Sequence, residues 1–88
     1  MSEIFGIAAF RSRQQVLRFE SALKRAGLRV GVVATPRDVS IGCGLSVRFN
    51  LNETQEVMHV YMQVRPSHLV GFYRVERTGR DRPTCTPL

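Results

Sequence analysis

The chain has 88 residues, 43% of them hydrophobic and 23% charged, with a net charge of +6 and a pI near 10.7. A chain of that length holds one hydrophobic core and not two, and its aliphatic content excludes an intrinsically disordered polymer. No apolar run approaches the ~20 residues that a membrane-spanning helix needs.

Ile4 to Phe10 (IFGIAAF) is a short apolar run with polar flanks and predicts a first strand. Ser12 stands three residues before Gln15, the spacing of a capping box, so a helix begins there. Val16, Phe19, Leu23 and Ala26 recur at helical spacing with Ala22 on the same side, and Gly27 closes the helix with a left-handed cap. Leu28 to Ala34 predicts a second strand that ends at Thr35-Pro36, and Leu45 to Phe49 alternates apolar with polar, as a half-buried third strand does. Asn52 is placed to cap a second helix with the stripe Val57, Val60, Tyr61 and Val64, which Pro66 stops. Leu69 to Glu76 reads as a fourth strand, and the RTGRDRPTCTPL that follows is polar and rich in turn-formers. The domain is accordingly read as residues 1–77, with 78–88 as a flexible C-terminal tail.

The order β-α-β-β-α-β, with two amphipathic helices that need a sheet to cover their stripes, predicts an α+β, ferredoxin-like fold. That fold is a four-stranded antiparallel sheet with both helices on one face. Strands two and three would be joined by a hairpin loop of about 2 to 5 residues, yet Thr35 to Gly44 is roughly twice that long. This loop holds Gly42-Cys43-Gly44. Glycine on both sides removes the β-carbons that would shade the sulfur, and lets the backbone turn several N–H groups toward one point, a nest that favours an anion. Arg37 and the Ser40 hydroxyl would favour a thiolate at Cys43 further. The alternative is that Gly42 and Gly44 only let the chain turn, with Cys43 a small residue tucked under the loop.

The segment TPRDVSIGCGLSVRF, Thr35 to Phe49, resembles the signature of the selenium/sulfur (Se/S) carrier-like protein family: a Pro-Arg, then Ser-x-Gly-Cys-Gly-Leu, then an Arg-Phe. The strand-helix-strand that precedes it and the helix and strand that follow are similar to the rest of the family's unit. The resemblance implies a carrier of sulfane sulfur or selenium, with Cys43 as the acceptor and Pro36, Arg37, Ser40, Gly42 and Gly44 as the supporting loop. No resident cofactor is expected. The partners would be a donor such as a cysteine desulfurase-type protein and an acceptor enzyme, and a homodimer stays open. Such a chain is not an enzyme in the strict sense, because its cycle closes only with partners.

Cys85 in Pro83-Thr84-Cys85-Thr86-Pro87 offers a resolving thiol, or a tail thiol without a role. There is no CxxC and no Cys/His pair at zinc-ligand spacing, so no metal site is expected. His59 and His68 read as surface histidines, and Met58 and Met62 as partly exposed packing. Arg11, Arg13, Arg18, Lys24 and Arg25 gather around the first helix, as a nucleic-acid or acidic-protein footprint would, or simply as a solvated helix face. A nucleic-acid-binding or protein-interaction module is thus the competing reading, although LSVRF lacks the aromatic-rich pattern of an RNA-stacking strand. Met1-Ser2-Glu3 lacks the basic region of a secretion signal, and a cytoplasmic location with no membrane partner is expected.

Overall fold

The computed structural model describes residues 2–39, 44–79 and 82–88. Along these the order is β1 (Ser2–Phe10), α1 (Arg13–Arg25), β2 (Val30–Ala34), β3 (Leu45–Phe49), a 3-10 turn (Leu51–Glu53), α2 (Thr54–Val64), β4 (Leu69–Thr78) and β5 (Thr84–Pro87). The strands form one sheet in the order β2-β3-β1-β4-β5, and every neighbouring pair is antiparallel. Among the described residues no helix is long and apolar enough to cross a membrane.

Local chemistry explains the start and stop of α1. The Ser12 side chain accepts from the Gln15 N–H at 3.4 Å. Gln15 does not return that bond, because its Oε1 accepts instead from the Ser67 N–H at 3.3 Å and ties the helix start to the turn before β4. At the far end Gly27 takes φ +87, and the Gly27 and Leu28 N–H groups donate to the carbonyls of Lys24 and Leu23. These paired bonds make a Schellman motif. The start of α2 differs from the sequence reading. Asn52 lies inside the 3-10 turn and caps nothing; Glu53 occupies the cap position without a side-chain bond to the helix backbone, and the Thr54 hydroxyl donates back to the Leu51 carbonyl at 2.6 Å.

The buried residues of both helices (Val16, Phe19, Ala22 and Leu23; Val57 and Val60) join Ala8, Phe10, Val47 and Phe49 in one core. Rings at edge-to-face angles run through it from Phe10 to Phe19, Tyr61 and Phe72, with centroids 5.4 to 6.1 Å apart. Such pairs add to what burial alone contributes. A smaller cluster of Phe5, Ile7 and Val75, with Val33, Tyr73 and Cys85 against it, lies on the alternate strand positions. Alternation along a strand places it on the opposite face, which the helices leave open.

The expectation of four strands is corrected to five. Beyond Glu76, β4 continues to Thr78, and Thr84–Pro87 return to pair with Tyr73–Glu76. The Leu88 N–H extends that pairing to the Phe72 carbonyl at 2.9 Å. Polar threonines and two prolines hide this strand from pattern reading. It forms because β4 presents a free ladder and Cys85 and Tyr73 gain cover from each other's strand.

Candidate functional site

The loop between β2 and β3 is built up from its stem. The Thr35 N–H donates to the Gly44 carbonyl at 2.8 Å, one step beyond the β2–β3 register, so the ladder closes the loop at its base. Gly44 holds φ +74, where a side chain is disfavoured, and turns the chain into β3. Beside it the hydroxyls of Thr35 and Ser46 bond at 2.6 Å, and Ser46 is fully buried. The Val39 N–H donates to the Pro36 carbonyl at 3.0 Å, closing a turn over Pro36–Val39, and the Val39 side chain is 5% exposed. A hydrogen-bonded stem and a buried valine thus hold the two ends of the segment that contains the thiol.

Of the residues the sequence singles out, Ser40, Gly42 and Cys43 lie outside the described residues. Pro36 is half-buried at the first position of the turn, and Arg37 is exposed at the second. Asp38, which the sequence reading passed over, comes within 4.0 Å of Arg82 through its Oδ1 and the Nη1 of that arginine. Arg82 leads into β5 at one edge of the sheet, whereas the loop leaves β2 at the other. The first turn of the loop therefore lies over the face that the helices leave open, and strand twist helps by curling diagonal corners of a sheet together.

Cys85 meets the loop there. It is half-buried opposite Val75, and its thiol pKa is raised above the ordinary cysteine value, first by burial and then by the nearby negative charge of Asp38. Both causes disfavour the thiolate. The second cysteine is thus a resting thiol, placed where the loop's first turn arrives. On the same face the Arg48 guanidinium stacks 3.9 Å from the Phe5 ring centroid and donates to Glu3 at 2.9 Å.

The remaining sequence candidates fall elsewhere. His59 is exposed on α2, on the rim of a shallow apolar groove with Ala26, Leu28 and Val60. His68 is exposed before β4, with its Nδ1 2.9 Å from the Ser67 hydroxyl. Arg11, Arg13, Arg18, Lys24 and Arg25 are all exposed. Among the described residues neither histidine bonds to the turn at Pro36–Val39.

Searches of curated proteins and of solved structures each return no match. Against protein families the chain matches the one described as "Putative Se/S carrier protein-like" over residues 5–64, a span that runs from β1 through α2 and includes the whole loop. That span is more than half of the chain, and the protein belongs to this Se/S carrier-like family.

Proposed function

We propose that the chain carries sulfane sulfur or selenium on Cys43, taking it from a donor protein and handing it to an acceptor enzyme. The observation that carries this reading is the family match across the loop, joined to a stem that holds the loop ends by hydrogen bonds. In the transfer step the Cys43 thiolate attacks the outer sulfur of a donor persulfide. The donor's S–S bond breaks, its cysteine leaves as a thiolate that takes up a proton, and Cys43 becomes a persulfide. Arg37, Ser40, Gly42 and Gly44 favour the anionic sulfur before and after that step, and Pro36 fixes the turn that presents them. The chain itself is a carrier and not an enzyme, and it works in the cytoplasm.

Cys85 is the resolving thiol in this scheme. Its attack on the inner sulfur of the Cys43 persulfide would form a Cys43–Cys85 disulfide and expel hydrosulfide, and a dithiol reductant would restore both thiols. Its raised pKa keeps this step slow at neutral pH, so the cargo persists until an acceptor arrives. We read residues 1–77 as the carrier unit, a ferredoxin-like core in the order β2-β3-β1-β4, and 78–88 as an appended segment that supplies Cys85.

Nucleic-acid binding on the open sheet face has less support. Modules of that kind stack bases on exposed aromatic rings, but here Phe5 is 4% exposed, with the Arg48 guanidinium over it. Cyanide tests the carrier reading, because it strips sulfane sulfur as thiocyanate. Protein loaded from a persulfide donor and then freed of it should yield thiocyanate, and the Cys43→Ser protein none; equal yields would contradict the assignment.

A further inference from the structure

The two edges of the sheet are not alike. β5 is four residues long, ends in Pro87 and follows Pro83, and proline blunts an edge because it has no N–H to offer a neighbour. β2 carries no such protection. Its five residues, Val-Gly-Val-Val-Ala, include no charge and no proline, and the sheet order leaves it outermost.

Register shows which backbone groups are free. Thr35 and Gly44 are opposite each other and hydrogen-bonded, and in an antiparallel pair bonded and non-bonded positions alternate. Val33 and Gly31 therefore bond to β3, while Val30, Val32 and Ala34 point their N–H and C=O groups outward. At one end of this edge a groove of about 420 Å³ is lined by Lys24, Arg29 and Arg48 together with Val30 and Gly31. Lys24 and Arg48 pair with Glu20 and Glu3, but among the described residues Arg29 has no ion-pair partner. At the other end the strand runs straight into the loop that holds Cys43.

We infer that the β2 edge is the docking strand for an acidic, extended segment of a partner protein, which adds to the sheet beside β3. Main-chain bonds to Val30, Val32 and Ala34 supply register, and the Lys24/Arg29/Arg48 groove selects acidic side chains. A second copy of this chain is disfavoured as the occupant, since each copy carries a net charge of +6. The inference deepens the carrier reading, on which it rests for the partner's role: a strand seated here brings the partner up to the Cys43 loop.

The test uses the full chain as Cys43→Ser, so that thiol chemistry does not enter. The probe is a capped peptide of alternating Glu and Val, about seven residues long and so able to span the roughly 16 Å of β2. Backbone amide shifts and hydrogen exchange should single out Val30, Val32 and Ala34, and binding should weaken with salt. Ala34→Pro removes an outward N–H that the ladder does not use, and should weaken binding roughly tenfold; Arg29→Glu should do the same. If Ala34→Pro fails to fold, a peptide N-methylated on alternate amides makes the same cut with the protein unchanged. No binding, shifts at β5 or α1 instead, or equal binding of the N-methylated peptide or of an alternating Lys and Val peptide would overturn the inference. Protection of β2 through self-association, or displacement of the peptide by an oligonucleotide, would also overturn it. None of these outcomes bears on whether Cys43 accepts sulfur.

Discussion

Asp38, at the start of the long loop, acts through space on Cys85, in β5: the carboxylate's charge raises the thiol's pKa, in second place after burial. The pair joins the segment that leaves one edge of the sheet to the strand that forms the other. Its effect is to keep the second sulfur protonated beside the loop that carries the first.

This relationship fixes a pH dependence. The folded protein binds the Cys85 proton more tightly than the unfolded chain does, so the associated stability is intact below the unfolded chain's thiol pKa and is lost as pH rises through the higher folded value. Chemical denaturation across that range should show wild type losing more stability than Cys85→Ser. Asp38→Asn should lower the Cys85 pKa only partly, because burial remains the larger cause, and alkylation rates against pH in a Cys43→Ser background would show it. Arg82→Ala should change stability by well under about 1 kcal/mol, since its ion pair with Asp38 is long and exposed.

The loop stem should be sensitive to its hydroxyl pair. Thr35→Val leaves the buried Ser46 hydroxyl without its 2.6 Å partner, at a cost of about 1 to 3 kcal/mol in denaturant unfolding. Adding Ser46→Ala should recover part of that loss, because no stranded polar group then remains. A strictly additive double variant would mean that the bond contributes nothing.

Two glycines should respond for different reasons. Around Gly44 a β-carbon would meet nothing within 4 Å, so Gly44→Ala should cost only the left-handed backbone penalty, about 1 to 2 kcal/mol. At Gly6 the added carbon would fall into the ring of Phe49, itself 1% exposed in the core, so Gly6→Ala should cost more, up to about 3 kcal/mol through repacking. Urea midpoints would rank the two, and a larger loss at Gly44 would contradict the assignment.

If the loop favours an anion, the Cys43 thiol should titrate below the ~8.5 of a free cysteine, and Arg37→Ala should raise it. The alkylation rate of Cys85→Ser protein as a function of pH measures it directly. A value at or above about 8.5 would mean that the loop does nothing to the thiol.

Most of the framework was legible in the residues because burial wrote a period into them. The Val16/Phe19/Leu23 stripe and the Val57/Val60 stripe predicted two helices, and both enter one core. Ser12 and Gly27 marked the ends of α1 because each residue type solves a local bonding problem there. Asn52 misled: a 3-10 turn before α2 lets Thr54 satisfy Leu51, a bond that no spacing rule displays. β5 was missed because its order comes from the β4 ladder and not from its own composition. The same holds for Asp38, whose significance depends on a loop crossing the sheet to meet residues near the end of the chain. Long-range juxtaposition of polar residues leaves no periodic trace.

The most direct measurement is peptide-level mass spectrometry of the protein after reaction with a persulfide donor, with free thiols blocked before digestion. The account predicts one added sulfur on the peptide containing Cys43, retained in Cys85→Ser and absent in Cys43→Ser. Sulfur found on neither cysteine, or only on Cys85, would contradict it.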